Sequence, residues 1–354
     1  MLQTRKETLL ELLGLPIVSF SDKLTIPQYM WDLYNLLSQS NETKPATESG
    51  AEEDVGKAAQ VDMVQSLTSR QELDVSPRLK QVLIFHTPPI ASADDVTSAE
   101  LRLFREVPQT GSKQDIRVVA HASIYNVTWI PGIPAPLRDL VDKVDLYNTG
   151  GKHWVVFDVT HTVRNWVKRS ETNCTLELHT EFVNKTKINP TVVGLKRFSN
   201  DSLKEALVVV FSNNKEISVG LESRIKRGAK DISNLLGGNE LDWGKYELKR
   251  KDSLCHWRNF YVDFRLLRWN IIAPQGYRAG YCAGVCPSTL TNNMNASNHA
   301  RIQSLMHHLH PDKYPPVACV PVQLAPIMVL YRNSEGNIAL RRMRDMIAVS
   351  CGCQ

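Results

Sequence analysis

No stretch of this 354-residue chain approaches the eighteen or so consecutive apolar residues that a membrane-spanning helix needs. A soluble product is therefore expected. Cysteine is almost missing from the first 254 residues, where Cys174 stands alone; the other six of the seven crowd into the last 100. Missing too are a nucleophile elbow, a phosphate-binding glycine loop and an HExxH helix. With these gone the expectation is a protein that is not an enzyme, with no catalytic residue, no cofactor and no bound metal. The opening residues lack the apolar core of a signal peptide. Thr4, Arg5, Lys6 and Glu7 lead instead into an amphipathic Leu9-Leu10-Glu11-Leu12-Leu13, so a start placed downstream of the true one is the expected explanation.

The apolar fraction, 42%, is ordinary for a globular chain. Charge is unevenly shared. From Gly228 onward there are 15 Lys+Arg against 9 Asp+Glu, which leaves 27 against 28 of the total 42 and 37 upstream. All the excess positive charge thus lies in the cysteine-rich part. Such a segment reads as a disulfide scaffold from an oxidising compartment. Six acceptor sequences for N-linked glycans, at Asn41, Asn126, Asn173, Asn184, Asn200 and Asn295, point the same way.

Along the chain, residues 1–37 suggest two amphipathic helices, the second started by Pro27 and carrying Met30, Trp31, Leu33, Tyr34 and Leu37. Residues 38–77 are rich in Ser, Glu, Thr and Gln and read as a flexible linker. From 78 to 227 short β-like runs dominate: 81–86, 101–105, 116–124, 154–159, 175–182 and 206–211. An α+β or β-sandwich region follows. Arg224-Ile225-Lys226-Arg227 then precedes Gly228. Most basic tetrads are solvated surface. This one, with Arg224, Lys226 and Arg227, stands where the cysteine-poor and cysteine-rich parts meet, which favours cleavage by an acidic-pocketed convertase after Arg227. Residues 228–254 would then be a mature N-terminal tail and 255–354 a compact domain.

The strongest motif is Cys282-Ala-Gly-Val-Cys286 with Cys351-Gly-Cys353. Six cysteines allow about fifteen pairings, and the sequence alone does not choose among them. If Cys282 bonds Cys351 and Cys286 bonds Cys353, the two short spans close a small ring that a bridge between Cys255 and Cys319 can thread. Gly284 would keep that ring open. Zinc is a poorer reading, because zinc sites favour CxxC knuckles of reduced thiolates; a redox CxC needs a perturbed, exposed thiolate.

Cys255-His-Trp-Arg-Asn-Phe-Tyr-Val-Asp-Phe264, Trp269-Asn270, Ala273-Pro274-Gln-Gly276-Tyr277, Tyr281 to Pro287, Asn298-His299-Ala300, Cys319-Val-Pro321 and the closing Cys351-Gly-Cys353 resemble the mature domain of the transforming growth factor β superfamily. The bone morphogenetic protein and growth differentiation factor branch is nearest. More loosely, Pro27 to Tyr34 and Ser98 to Arg105 resemble that branch's prodomain. The resemblance implies the pairing Cys255–Cys319, Cys282–Cys351 and Cys286–Cys353. It also implies a small all-β cystine-knot domain with one helix, preceded by an α+β prodomain of N-terminal helices and a β-rich region.

Ile302, Leu305, Met306 and Leu309 follow one another at helical spacing. Most such faces pack on their own core, but thin hairpins offer little interior, so burial against a second subunit is expected. Superfamily members usually carry a further cysteine just before Cys-Val-Pro that bridges the subunits. Ala318 stands there, so the homodimer, or a heterodimer with a related ligand, should be non-covalent. The first finger is two residues shorter than the pattern after Trp269-Asn270 and lacks its second tryptophan.

The resemblance implies partners too: the chain's own prodomain, type I receptor kinases around Trp269, Leu290 and the opposite subunit's helix, and type II receptor kinases at Ala273, Pro274, Met328, Leu330 and Leu340. A secreted growth factor that activates Smad signalling is the leading expectation. The alternative is a ligand-like antagonist that occupies receptor or pairs with a relative, motivated by the shortened finger. A purely structural extracellular module comes third. Lys249-Arg250-Lys251 suggests a hold on heparan sulfate; no nucleic acid partner is expected. His307, His308 and His310, with His299 nearby, could suggest metal, but a helix end favours imidazole by itself and helical spacing puts His307 and His308 on different faces, which argues against a metal site.

Overall fold

The computed structural model describes residues 25–39, 51–69, 79–107, 116–195, 204–213 and 254–354, less 88, 89, 91, 93, 94, 131, 172, 268 and 269, together with 9, 10, 13 and 15. The chain divides into two compact bodies. One comprises residues 18–217 with 332–341, the other 1–17, 218–331 and 342–354.

In the first body, helix α1 (Gln28–Gln39) follows Pro27 and buries Tyr29, Met30, Leu33 and Leu37. A second helix, α2 (Ala51–Ala59), and strand β1 (Met63–Thr68) occupy much of the stretch whose composition suggested a linker. The expectation of a linker over 38–77 is corrected for residues 51–68, and for β1 the reason it was missed is burial on both faces. Met63, Val64, Gln65, Ser66 and Leu67 are all buried, polar residues included, so no alternation marks the strand. The remaining strands are β2 (Lys80–His86), β3 (Val96–Val107), β4 (Val118–Thr128), β5 (Leu137–Tyr147), β6 (Gly151–Asp158), β7 (Asn173–Phe182), β8 (Lys187–Ile188) and β9 (Leu207–Ser212), with helix α3 (Thr160–Arg169) between β6 and β7. Both β5 and α3 went unmarked in the sequence. β5 carries Arg138, Asp139, Asp142, Lys143 and Asp145 as a charged sheet edge, and α3 shows only a short apolar face of Val163 and Trp166.

The strands form two layers. In one the order is β1-β9-β3-β6, and in the other β2-β7-β4-β5 with β8 beside β7. Every pairing among them is antiparallel. Between the layers lies a core that includes Leu83, Phe85, Leu101, Leu103, Ile124, Phe157, Leu176, Leu178, Val208, Val210 and Trp166. Residues 338–341 extend the first layer: Ile338, Ala339, Leu340 and Arg341 pair with Ser66, Gln65, Val64 and Met63.

Two buried charge clusters fix the helices and the outer sheet face. Arg102 of β3 lies 4.1 Å over the Tyr29 ring, donates to Asp54 of α2 at 2.6 Å and pairs with Glu100, which Lys57 reaches at 2.7 Å. On β7, Glu177 accepts from Lys80 at 2.7 Å, Arg138 at 2.8 Å and His179 at 3.0 Å. Burial by itself would raise this carboxyl, but the side-chain hydrogen bonds from Arg138, Lys80 and His179, with the charge of Lys80, outweigh it and hold it at about 2.

The second body is built of short hairpins. It holds β10 (His256–Arg258), β11 (Tyr261–Asp263), a helical turn at Phe264–Leu267, β12 (Ile271–Ala273), β13 (Gly276–Arg278), β14 (Tyr281–Ala283), helix α4 (Asn298–Leu309) and most of two long strands, β15 (Cys319–Arg332) and β16 (Ile338–Cys353). β10 pairs with β14, β11 with β13, and β12 with β15. Few apolar side chains are buried in it. Phe264, Ala279, Ala300, Val329 and Leu330 are among them.

Candidate functional site

Covalent links hold this second body where its core is thin. Cys255–Cys319, Cys282–Cys351 and Cys286–Cys353 are bridged, with Cα–Cα distances of 5.4, 5.6 and 5.8 Å. The latter two bridges join the spans 282–286 and 351–353 into a ring. Sulfurs of Cys255, Cys286 and Cys353 lie within 4.8 Å of one another, so the first bridge lies against one of the two bridges that close the ring. All three belong to disulfides, so they offer no thiolate for a metal. Each bridge closes a loop of 64 to 69 residues, worth roughly 4 kcal/mol in the loop-entropy account. Gly284 takes φ 124°, a conformation closed to ordinary side chains. At Gly352 a Cβ would stand 2.8 Å from both the Asn295 carbonyl oxygen and Val322 Cγ1, so the ring has no room for one.

Helix α4 begins at Ser297, whose hydroxyl accepts from the Ala300 amide at 3.2 Å. Its inner face is small. Ala300 and Ser304 are buried, and the Ser304 hydroxyl donates to the Ser288 carbonyl at 2.9 Å. The larger apolar residues point outward: Ile302 is 65% exposed, Leu305 55% and Leu309 58%, with Met306 half-buried beside them. At the helix end His307 Nδ1 meets the Tyr314 carbonyl at 2.6 Å, a structural bond that occupies one of the imidazoles considered as metal ligands.

Of the residues expected to meet receptors, Ala273 and Leu330 are brought together as registered partners on β12 and β15, and both are buried. Pro274 and Met328 are half-exposed, as is Leu290 in the loop before α4. Leu340 is fully buried opposite Val64 of β1. Trp269 lies outside the described residues. So do Arg224, Lys226, Arg227, Asn41, Asn200 and the basic run Lys249-Arg250-Lys251. Several exposed apolar residues of the hairpins escaped the sequence reading: Leu266 (76% exposed), Phe260 and Tyr281, the last two in edge-to-face contact at 6.4 Å. Their signal was there in large apolar residues with no core to receive them: Tyr281 on β14, Phe260 just before β11 and Leu266 in the helical turn.

Ala318 is exposed and exchanges backbone hydrogen bonds with Gln354, each at 2.9 Å, beside the knot. No sulfur can bridge from there. Among the acceptor asparagines, Asn173 and Asn184 are exposed, Asn126 is half-buried, and Asn295, at φ 46°, donates its side-chain amide to the Cys351 carbonyl at 3.2 Å.

A family model described as a transforming growth factor beta like domain matches residues 254–353, and one described as the TGF-beta propeptide matches residues 2–211. The chain belongs to the transforming growth factor β superfamily. Within it the bone morphogenetic protein branch supplies the similar curated relatives. Bone morphogenetic protein 8B of Mus musculus is 29% identical over 96% of this chain and 84% of its own length. Bone morphogenetic protein 4 of Bos taurus is 28% identical over all of this chain and 87% of its own. A "Protein DVR-1 homolog" of Strongylocentrotus purpuratus is 30% identical over 75% of this chain, which spans 59% of that relative. This superfamily precursor therefore has a propeptide region and a growth factor region, and its family is one of secreted, non-enzymatic growth factors. Among the described residues no helix is long and apolar enough to cross a membrane.

Proposed function

We propose that the chain is secreted, cleaved after Arg227, and yields a non-covalent dimer of residues 228–354 that bridges type I and type II receptor serine/threonine kinases and activates Smad proteins. The observation that carries this reading is the outward apolar face of α4. Ile302, Leu305 and Leu309 are more than half exposed on a body whose few buried residues leave no interior for them. Exposed large apolar residues in a contiguous face mark an interface, and a second copy of the knotted body completes the core that each lacks.

The prodomain has a second part in this proposal. Its strand β1 hydrogen-bonds along residues 338–341 and buries Leu340, one of the implied type II receptor contacts. Receptor engagement at that residue requires β1 to leave. The uncleaved precursor is therefore a masked form, and cleavage permits the mask to separate.

The test is Smad phosphorylation in responsive cells given purified mature protein. Phosphorylation that a soluble type II receptor ectodomain blocks is the expected result. Silence combined with competition against an ordinary morphogenetic ligand would make the protein an antagonist and overturn the signalling role.

A further inference from the structure

On the prodomain body, a cleft of about 420 Å³ opens between strand β5 and helix α3, lined by Asn126, Asp139, Leu140, Val141, Asp142, Asp158, His161, Thr162 and Asn165. Three features make it more than a gap. The first is a bulge. Asn126 pairs with Asp139 and Tyr125 with Leu140, but Ile124 pairs with Asp142, so Val141 is the extra residue. The bulge turns Asp139 and Asp142 to the same side of the sheet, toward α3.

The second is the orientation of Asn126. The buried Trp166 indole donates to Asn126 Oδ1 at 3.1 Å. An indole N–H can only donate, so the amide must present oxygen to it, and Nδ2 is forced to the other side. There it reaches Thr128 Oγ1, the hydroxyl of its own Asn-Val-Thr acceptor sequence, at 3.4 Å. The third is unspent polar capacity. Asp142 accepts from the Asp158 amide at 2.8 Å and Asp158 from the Thr160 amide at 2.8 Å, which fixes the cleft's floor. The side chains of Asp139, His161 and Asn165 have no hydrogen-bond partner among the described residues, although they line the same opening. A carboxylate, an imidazole and an amide around one opening offer the mixture of acceptors and donors that sugar hydroxyls need, at a volume within the ~300–1,000 Å³ of small-ligand sites.

We propose that Asn126 carries an N-linked glycan whose first sugar rings lie in this cleft, held by Asp139, His161 and Asn165. The inference rests on the secretory route proposed above. The oligosaccharyltransferase of that route forms the bond from Asn126 Nδ2 to the anomeric carbon of a lipid-linked N-acetylglucosamine. The bond from that carbon to the diphosphate breaks, the lipid diphosphate leaves with the electron pair, and the amide proton passes to a base of the transferase. One N–H remains on Nδ2 for Thr128, and Oδ1 stays with Trp166. The seated sugars tie the edge strand β5 to α3.

The experiment uses the full precursor secreted from cultured cells. Native protein is treated with peptide-N-glycosidase in heavy-oxygen water, and conversion of Asn126 to labelled Asp is followed by peptide mass spectrometry. Thr128→Ala, which spares the Asn126 bond to Trp166, should abolish the glycan at that position. The wild-type glycan should be released slowly. In the double variant Asp139→Ala/Asn165→Ala, and separately in His161→Ala, occupancy should be unchanged and native release on the order of tenfold faster, since access no longer waits on opening of the cleft. Release equally fast in wild type and variants overturns the cradle. Sugar at Asn173 or Asn184 with none at Asn126 overturns the site while leaving the secretory reading intact, whereas sugar at none of the acceptors overturns both.

Discussion

Cys174 and Glu177 show how much a single position's neighbours decide. Burial pushes the Cys174 thiol up to about 12, an effect that Glu171 reinforces and a contact with Thr87 partly offsets. The thiolate is the reactive form, so native precursor at pH 8 should resist alkylation by iodoacetamide at Cys174 and take up one equivalent there once denaturant is added. Alkylation in the folded state, read by mass spectrometry, would contradict the placement. For Glu177 the sign runs the other way. Its carboxyl sits at about 2 in the folded chain against an ordinary 4.5, so its contribution is fully present above pH ~4.5 and is lost as pH falls toward 2. The melting temperature of the precursor should decline over that window. Glu177→Gln should lower it at neutral pH, because Lys80 and Arg138 lose their counter-charge, and should flatten the acid decline. The sequence announced neither environment. Cys174 reads there only as the odd cysteine, and Glu177 as a charge alternating along a strand; the three donors that converge on Glu177 come from residues 80, 138 and 179.

Among the elements, the legible ones either had a one-sided environment or, like the wholly buried β9, read as an unbroken apolar run from Leu207 to Phe211. β2, β7 and β4 alternate because one face meets the core and the other does not, and α4 shows a helical period because it presents an apolar stripe. β1 was illegible because it is enclosed on both faces and its apolar run is broken by Gln65 and Ser66, which are as buried as its leucine, so it shows neither alternation nor a continuous run. α3 was too short to establish a period. For α4 the period was read correctly and its outward direction follows from Ala300 and Ser304 taking the inner face. Leu305→Glu should therefore spare secretion and the three intramolecular bridges, because the side chain touches no interior. It should cost the dimer about 2 kcal/mol or more by placing a charge in a desolvated interface, seen as a monomer by size-exclusion chromatography at concentrations where wild type is dimeric. Retention of the dimer would move the interface off this helix.

For the molecule as a whole, the disulfide framework accounts for most of what could be foreseen. Six cysteines in the last 100 residues announce a scaffold that relies on cross-links, and the resemblance of their surroundings supplied a pairing that the spacing alone left open. The cleavage site, the basic run and Trp269 carry the proposed processing and receptor contacts from outside the described residues. What the linear order concealed is that the compact bodies do not follow it. Residues 332–341, deep in the growth factor region, group with the propeptide region through β1, and a pairing between strands some 270 positions apart has no local signature.

Sedimentation equilibrium of the purified, cleaved fragment 228–354 without reductant, over a wide range of loading concentrations, tests the central claim most directly. The account predicts a reversible monomer–dimer equilibrium: a dimer that dissociates on dilution and runs as a single chain in non-reducing denaturant, since Ala318 offers no sulfur. A lone monomer at every concentration, or a dimer that persists in denaturant until reduced, would contradict it.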